Sequence, residues 1–124
     1  MNAAARRFIG FAALLIAIAT IMGAFGAHAL KATLSTEYYQ TLQTAVHYQF
    51  FNALGLFGIG LLRLRPEAPA ALSRAGVLIA VGVVIFCGSL YALVLGAPTL
   101  IGAITPVGGV CMIAGWLWLA LQIL

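Results

Sequence analysis

The chain has 124 residues, 65% of them hydrophobic and 6% charged, with a mean hydropathy of +1.16. A soluble domain carries about 25% charged residues, so this composition cannot build a water-facing surface and lipid is the expected solvent. The net charge of +4 rests on six scattered basic residues; these make no phosphate-binding face, no nucleic-acid partner is expected, and the charges read as topology signals.

A helix crosses ~30 Å of hydrocarbon with roughly 20 apolar residues, so this length accommodates about four crossings and short connections. The expected fold is all-α: one transmembrane domain over residues 1–124, an integral membrane four-helix antiparallel bundle. The first predicted span is 8–27, preceded by Arg6 and Arg7. Ala27-His28-Ala29 also has the form of a signal-peptide cleavage site. The apolar core is too long for a signal h-region, however, and the arginine pair lacks the rest of a twin-arginine signal, so this segment is expected to be a retained span. Residues 28–44 are the most polar stretch. Ser35 is placed to cap a helix and Glu37 suits its positive first turn. An interfacial helix over 36–44, with Tyr38 and Tyr39 in the headgroup belt, should run directly into the second span, 45–62.

Arg63, Arg65 and Pro66 end that span, and Ser73 is the expected cap of the third, 74–95. Gly96 and Pro98 stop it. Thr105-Pro106 is a helix-start pair, threonine as cap and proline at the first helical position, so the fourth span is 106–124. With four spans, Arg6, Arg7, Arg63, Arg65 and Arg74 share one side and Lys31 takes the other. The positive-inside rule then predicts cytoplasmic N- and C-termini.

Lipid offers helices no hydrophobic reason to associate, so small residues should let their backbones approach closely. Candidate rows are Ala13, Ala17, Thr20 and Ala24; Gly55, Gly58 and Gly60; Gly88, Ala92 and Gly96; and Gly108, Cys111 and Gly115. They predict a tight bundle, and would equally serve a homo-oligomer.

Helical rise places Thr20, Asn52, Ser89 and Cys111 roughly 10 Å beneath the non-cytoplasmic edge, one layer from four helices. Either they hydrogen-bond between helices or they floor a polar pocket that opens outward. His28, Lys31, His47, Tyr48 and Gln49 sit above them. His28 and His47 fall near one depth, where two imidazoles could hold haem or a divalent metal. No third ligand accompanies them and no span contains a carboxylate, so no cofactor or metal is expected. Cys87 and Cys111 read as small packing residues. No nucleophile elbow, zinc-protease motif, P-loop or dinucleotide fingerprint is present, so no enzyme is expected.

Four ordered motifs carry a resemblance: Gly23-Ala24-Phe25-Gly26-Ala27-His28-Ala29-Leu30, then Tyr48-Gln49 with Phe51-Asn52-Ala53-Leu54, then Gly88-Ser89-Leu90-Tyr91, and finally Thr105-Pro106-Val107-Gly108-Gly109 with Ala114-Gly115-Trp116. Over nearly its whole length the chain resembles a small inner-membrane family of unknown function, the YgdD/YwdK-like proteins, related to eukaryotic transmembrane protein 256. The resemblance implies four membrane helices without an established activity. That family often has histidine where Asn52 stands, and His47 is outside its motif, which favours Asn52 as a hydrogen-bonding site over a His28–His47 pair. The function expected is therefore a structural or accessory bundle contacting membrane lipid or a partner membrane protein. The alternatives are an oligomeric transport or channel element for a small solute or lipid and, third, a haem- or metal-binding membrane protein.

Overall fold

A computed structural model describes residues 1–124. It contains four helices long and apolar enough to cross a membrane, and no strand. The chain is an integral membrane helical bundle.

Helix α1 (Ala3–Phe25) starts well before the first apolar run, because Arg6 and Arg7 bound that run without breaking a helix. The Asn2 side chain accepts from Ala5 N at 2.8 Å and donates to the Arg63 carbonyl at 2.6 Å, tying the start of the chain to the end of the second helix. The backbone continues as a π-helical turn over Gly26–Leu30, with Lys31 N bonded to Gly26 O at 2.9 Å. Gly26 is buried there, and a Cβ on it would lie 2.5 Å from Leu42.

Helix α2 (Thr36–Leu62) is continuous, with the Ser35 hydroxyl accepting from Tyr38 N at 3.1 Å. Helix α3 (Ala71–Val94) begins before Ser73, which therefore does not cap it. A turn at Pro69-Ala70 nucleates this helix earlier, their carbonyls accepting from Leu72 N and Ser73 N. The Ser73 hydroxyl is left buried without a partner. Gly96 adopts φ +103°; with Ala97 N on Ala92 O at 2.9 Å and Gly96 N on Leu93 O at 3.1 Å, it closes α3 in a Schellman motif that favours glycine. After a 3-10 turn (Thr99–Ala103), helix α4 (Thr105–Ile123) carries Pro106 in its first turn. Thr105 is not its cap either: it is already helical, and its hydroxyl bonds Ser89 instead.

The close-packed pairs are α1–α2, α2–α3 and α3–α4. Helices α2 and α3 thus form the centre, with α1 and α4 on the two flanks and not packed together. Leu42, Leu56, Ile59, Ile79 and Val83 are the largest fully buried side chains.

Two of the small-residue rows fall elsewhere than the sequence suggested. The buried small residues are Ala5, Ala12 and Ala19 on α1 and Gly26 in the turn that follows it, while Ala13, Ala17, Thr20 and Ala24 are exposed. The buried set repeats every seven residues, the period that keeps one face on a neighbour in a left-handed crossing. One residue further along, about 100° around the helix, the alternative row points away. On α3, Gly88 and Gly96 meet nothing within 4 Å; the close approach belongs to Gly82, where an added Cβ would lie 2.7 Å from Gly108 O. Gly108 and Gly115 do face α3, and a Cβ on Gly115 would be 2.6 Å from Ile79. Gly55 lies under Trp116 and Gly60 against Ile9, whereas Gly58 is open.

Candidate functional site

Within spans, an unsatisfied polar group costs several kcal/mol, so each interior side chain should find a partner. Gln49 is 2% exposed. Its amide N–H donates to the Leu15 carbonyl at 2.7 Å, and its oxygen accepts from the Tyr91 hydroxyl at 2.6 Å. One side chain on α2 thereby binds α1 and α3. Cys87 adds a second α2–α3 link, its Sγ donating to Ala45 O at 3.3 Å.

Asn52 is 8% exposed. Its Nδ2 donates to the Tyr48 carbonyl at 2.9 Å and its Oδ1 accepts from the Trp116 indole N–H at 2.8 Å. Because an indole only donates, this contact fixes the amide orientation. Helices α2 and α4 are not a close-packed pair; Trp116 reaches across the gap and lies over Gly55, where any side chain would collide with it. Ser89 donates to Phe86 O at 2.9 Å and shares a hydrogen bond with Thr105, joining α3 to the first turn of α4.

The gap between α2 and α4 holds a cavity of about 490 Å³. Tyr48 and Asn52 line it from α2, Phe86 from α3, and Gly109, Met112, Ile113, Trp116 and Leu117 from α4. Tyr48, Ile113 and Leu117 are exposed, whereas Asn52 and Met112 are buried. The cavity is therefore a groove whose mouth is on the lipid-facing side of the bundle and whose floor carries the Asn52 amide. The Tyr48 and Phe86 rings form one wall, tilted by 58° with centroids 5.1 Å apart.

The four residues expected in one layer are not joined to one another. Thr20 is exposed and bonds back to Ile16 O at 2.8 Å in its own helix. Cys111 is half-buried and takes part in no hydrogen bond. Asn52 and Ser89 are buried, but in separate pairings. The expected pocket with Thr20, Asn52, Ser89 and Cys111 as its floor is replaced by the lateral groove, to which Asn52 alone of the four contributes. The reason is azimuth: equal depth says nothing about which way each helix turns its side chain.

At the end opposite the arginines, His28, Lys31 and His47 are all exposed. The Lys31 ammonium lies 5.8 Å from the centre of the Tyr39 ring. His47 lines a cavity of about 160 Å³ with Gly23, Gly26, Tyr39 and Gln43, and His28 does not. No three His, Cys, Asp or Glu side chains converge.

Tyr91 and Trp116, expected only as members of the family motifs, and Cys87 and Thr105, expected as a packing residue and a helix cap, all make hydrogen bonds between helices. For Tyr91 and Trp116 a signal was available: a hydroxyl or indole N–H inside a span requires an acceptor, which identifies Gln and Asn as its mates.

These features define a four-helix integral membrane protein whose polar side chains join helix to helix. The chain belongs to the family described as "Protein of unknown function (DUF423)", which it matches over residues 22–109. It is 43% identical over 115 residues to the UPF0382 membrane protein SH2409 of Staphylococcus haemolyticus, covering 93% of each chain. With the UPF0382 membrane protein YwdK of Bacillus subtilis it shares 39% identity, covering 89% of each. The UPF0382 inner membrane protein YgdD of Escherichia coli is 39% identical, over 86% of this chain and 80% of that one. No solved structure matches.

Proposed function

We propose that this protein is a non-enzymatic accessory bundle of a bacterial inner membrane, which holds a lipid or a partner membrane protein against its outer surface. The reading rests on one contrast. The interior polar groups Gln49, Cys87, Ser89 and Tyr91 are joined to one another or to backbone, whereas the largest cavity opens sideways between α2 and α4. Polar groups bonded internally in this way favour a closed bundle over a solute path. The relative YgdD, named an inner membrane protein, supports the compartment. The five arginines gathered at the end of the bundle that carries both termini support cytoplasmic termini.

A native mass spectrum of protein extracted in mild detergent tests this reading. The expected result is retained lipid, or a partner chain, in defined stoichiometry. A bare monomer under conditions that preserve known lipid complexes, together with solute flux in liposomes that Asn52→Leu abolishes, would replace it with the transport reading.

A further inference from the structure

We propose that the α2–α4 groove binds a neutral, membrane-dissolved ligand with a planar, carbonyl-bearing head and an apolar tail, that is, a lipid-soluble quinone. The proposal deepens the accessory reading and rests on it.

Three observations carry the inference. The first is the amide at the floor. A side-chain NH₂ has two donors, and Asn52 Nδ2 makes one bond, to Tyr48 O. Its second N–H belongs to a residue more than nine-tenths buried that lines the groove. In a hydrocarbon environment an occupant with an acceptor is favoured over an alkyl chain, because it satisfies that donor.

The second is depth. Asn52 precedes the end of α2 at Leu62 by about ten residues, roughly 15 Å of helix, and lies roughly 10 Å beneath the opposite edge of its span, inside the ~30 Å hydrocarbon core. Phospholipid headgroups and ester carbonyls belong to the interface. An acceptor at this depth must be carried by a lipid with no charged headgroup.

The third is shape. The volume, about 490 Å³, suits a small-molecule head, for which sites run from about 300 to 1,000 Å³. Tyr48, Phe86 and Trp116 put three aromatic rings into the lining beside the amide, and a flat conjugated ring packs against aromatic rings better than a saturated chain does. Ile113 and Leu117, exposed at the mouth, leave an apolar exit for the tail.

The test uses Trp116 as reporter. Of the two tryptophans, Trp118 is removed as Trp118→Phe, and the full-length protein is placed in phosphatidylcholine nanodiscs. Titration with decylubiquinone should quench Trp116 emission saturably, at one quinone per chain. Gly109→Leu should abolish saturation, because it fills the groove; the Cβ it adds lies 3.8 Å from the Phe86 ring, an ordinary contact, and an unchanged unfolding midpoint checks that the rest of the side chain is accommodated. Gly109→Ala, with an unchanged unfolding midpoint, should keep it. Asn52→Leu should weaken binding about threefold to tenfold, the effect of one intramembrane hydrogen bond. Quenching that rises linearly with quinone content and is the same in Gly109→Leu overturns the proposal. So does saturable quenching by brominated phospholipid tails that quinone does not displace, which would make the groove a seat for acyl chains. If either occurs while the native spectrum still shows bound lipid or partner, the ligand assignment falls and the accessory reading stands.

Discussion

Gln49 and Asn52 stand three residues apart on α2 and carry the same amide, yet they are in different situations. Gln49 is enclosed by close-packed helices on both sides, with the α1 backbone and Tyr91 at its two ends. Asn52 faces a helix that does not pack against its own, and Trp116 closes only one side of it. The difference teaches that in this molecule a buried amide ties three helices together where they meet, whereas between two that stand apart it makes a single cross-helix bond and lines a groove. Chemistry is shared; the number of neighbouring backbones decides the role.

The largest expected effect comes from removing α4 from the comparison. Gly108→Leu pushes a side chain into the α3 backbone at Gly82 and Phe86, and should lower stability by roughly 3 kcal/mol or more. Trp116 emission should shift as its bond to Asn52 breaks, while Gln49, bound only to α1 and α3, keeps its partners; thermal unfolding and fluorescence in detergent report both. If the Gln49 contacts are lost as readily, the two amides are not independent.

Gln49→Leu comes next. It leaves the Tyr91 hydroxyl without its partner, at a cost of about 1–3 kcal/mol. Adding Tyr91→Phe should recover part of that loss, and a double-mutant cycle measures how much. Asn52→Leu should cost less, ~0.6–1.7 kcal/mol, the range for single hydrogen bonds between membrane helices. Equal losses for Gln49→Leu and Asn52→Leu would erase the distinction between closed cross-link and open groove. The smallest effect belongs to the face of α1 turned away from the bundle: Thr20→Ala should change stability by less than about 0.5 kcal/mol. A larger loss, read as a change in unfolding midpoint, would show that this face is covered by another chain.

Much of this architecture is legible in the residues. Four apolar runs separated by the polar stretch 28–44, by Arg63, Arg65 and Pro66, and by Gly96 and Pro106 give four helices in order, and Ser35 is the cap of α2. Two other caps were not legible, because Ser73 and Thr105 have the right chemistry one turn or one residue inside the helix. Which alanine row of α1 is buried was also not legible: Ala12 and Ala13 are the same residue, and only the neighbouring helix distinguishes them.

The sequence by itself determined the solvent, the number of crossings and their order, since transfer of apolar surface into lipid is additive along the chain and needs no knowledge of neighbours. Tertiary structure alone decided the azimuth of each helix, and with it everything about the candidate site. Depth is a sum of rises along one helix. The meeting of Asn52 with Trp116, or of Gln49 with Leu15 and Tyr91, depends on rotations that the interlocking of Gly82 with Gly108 and of Gly26 with Leu42 sets by contact.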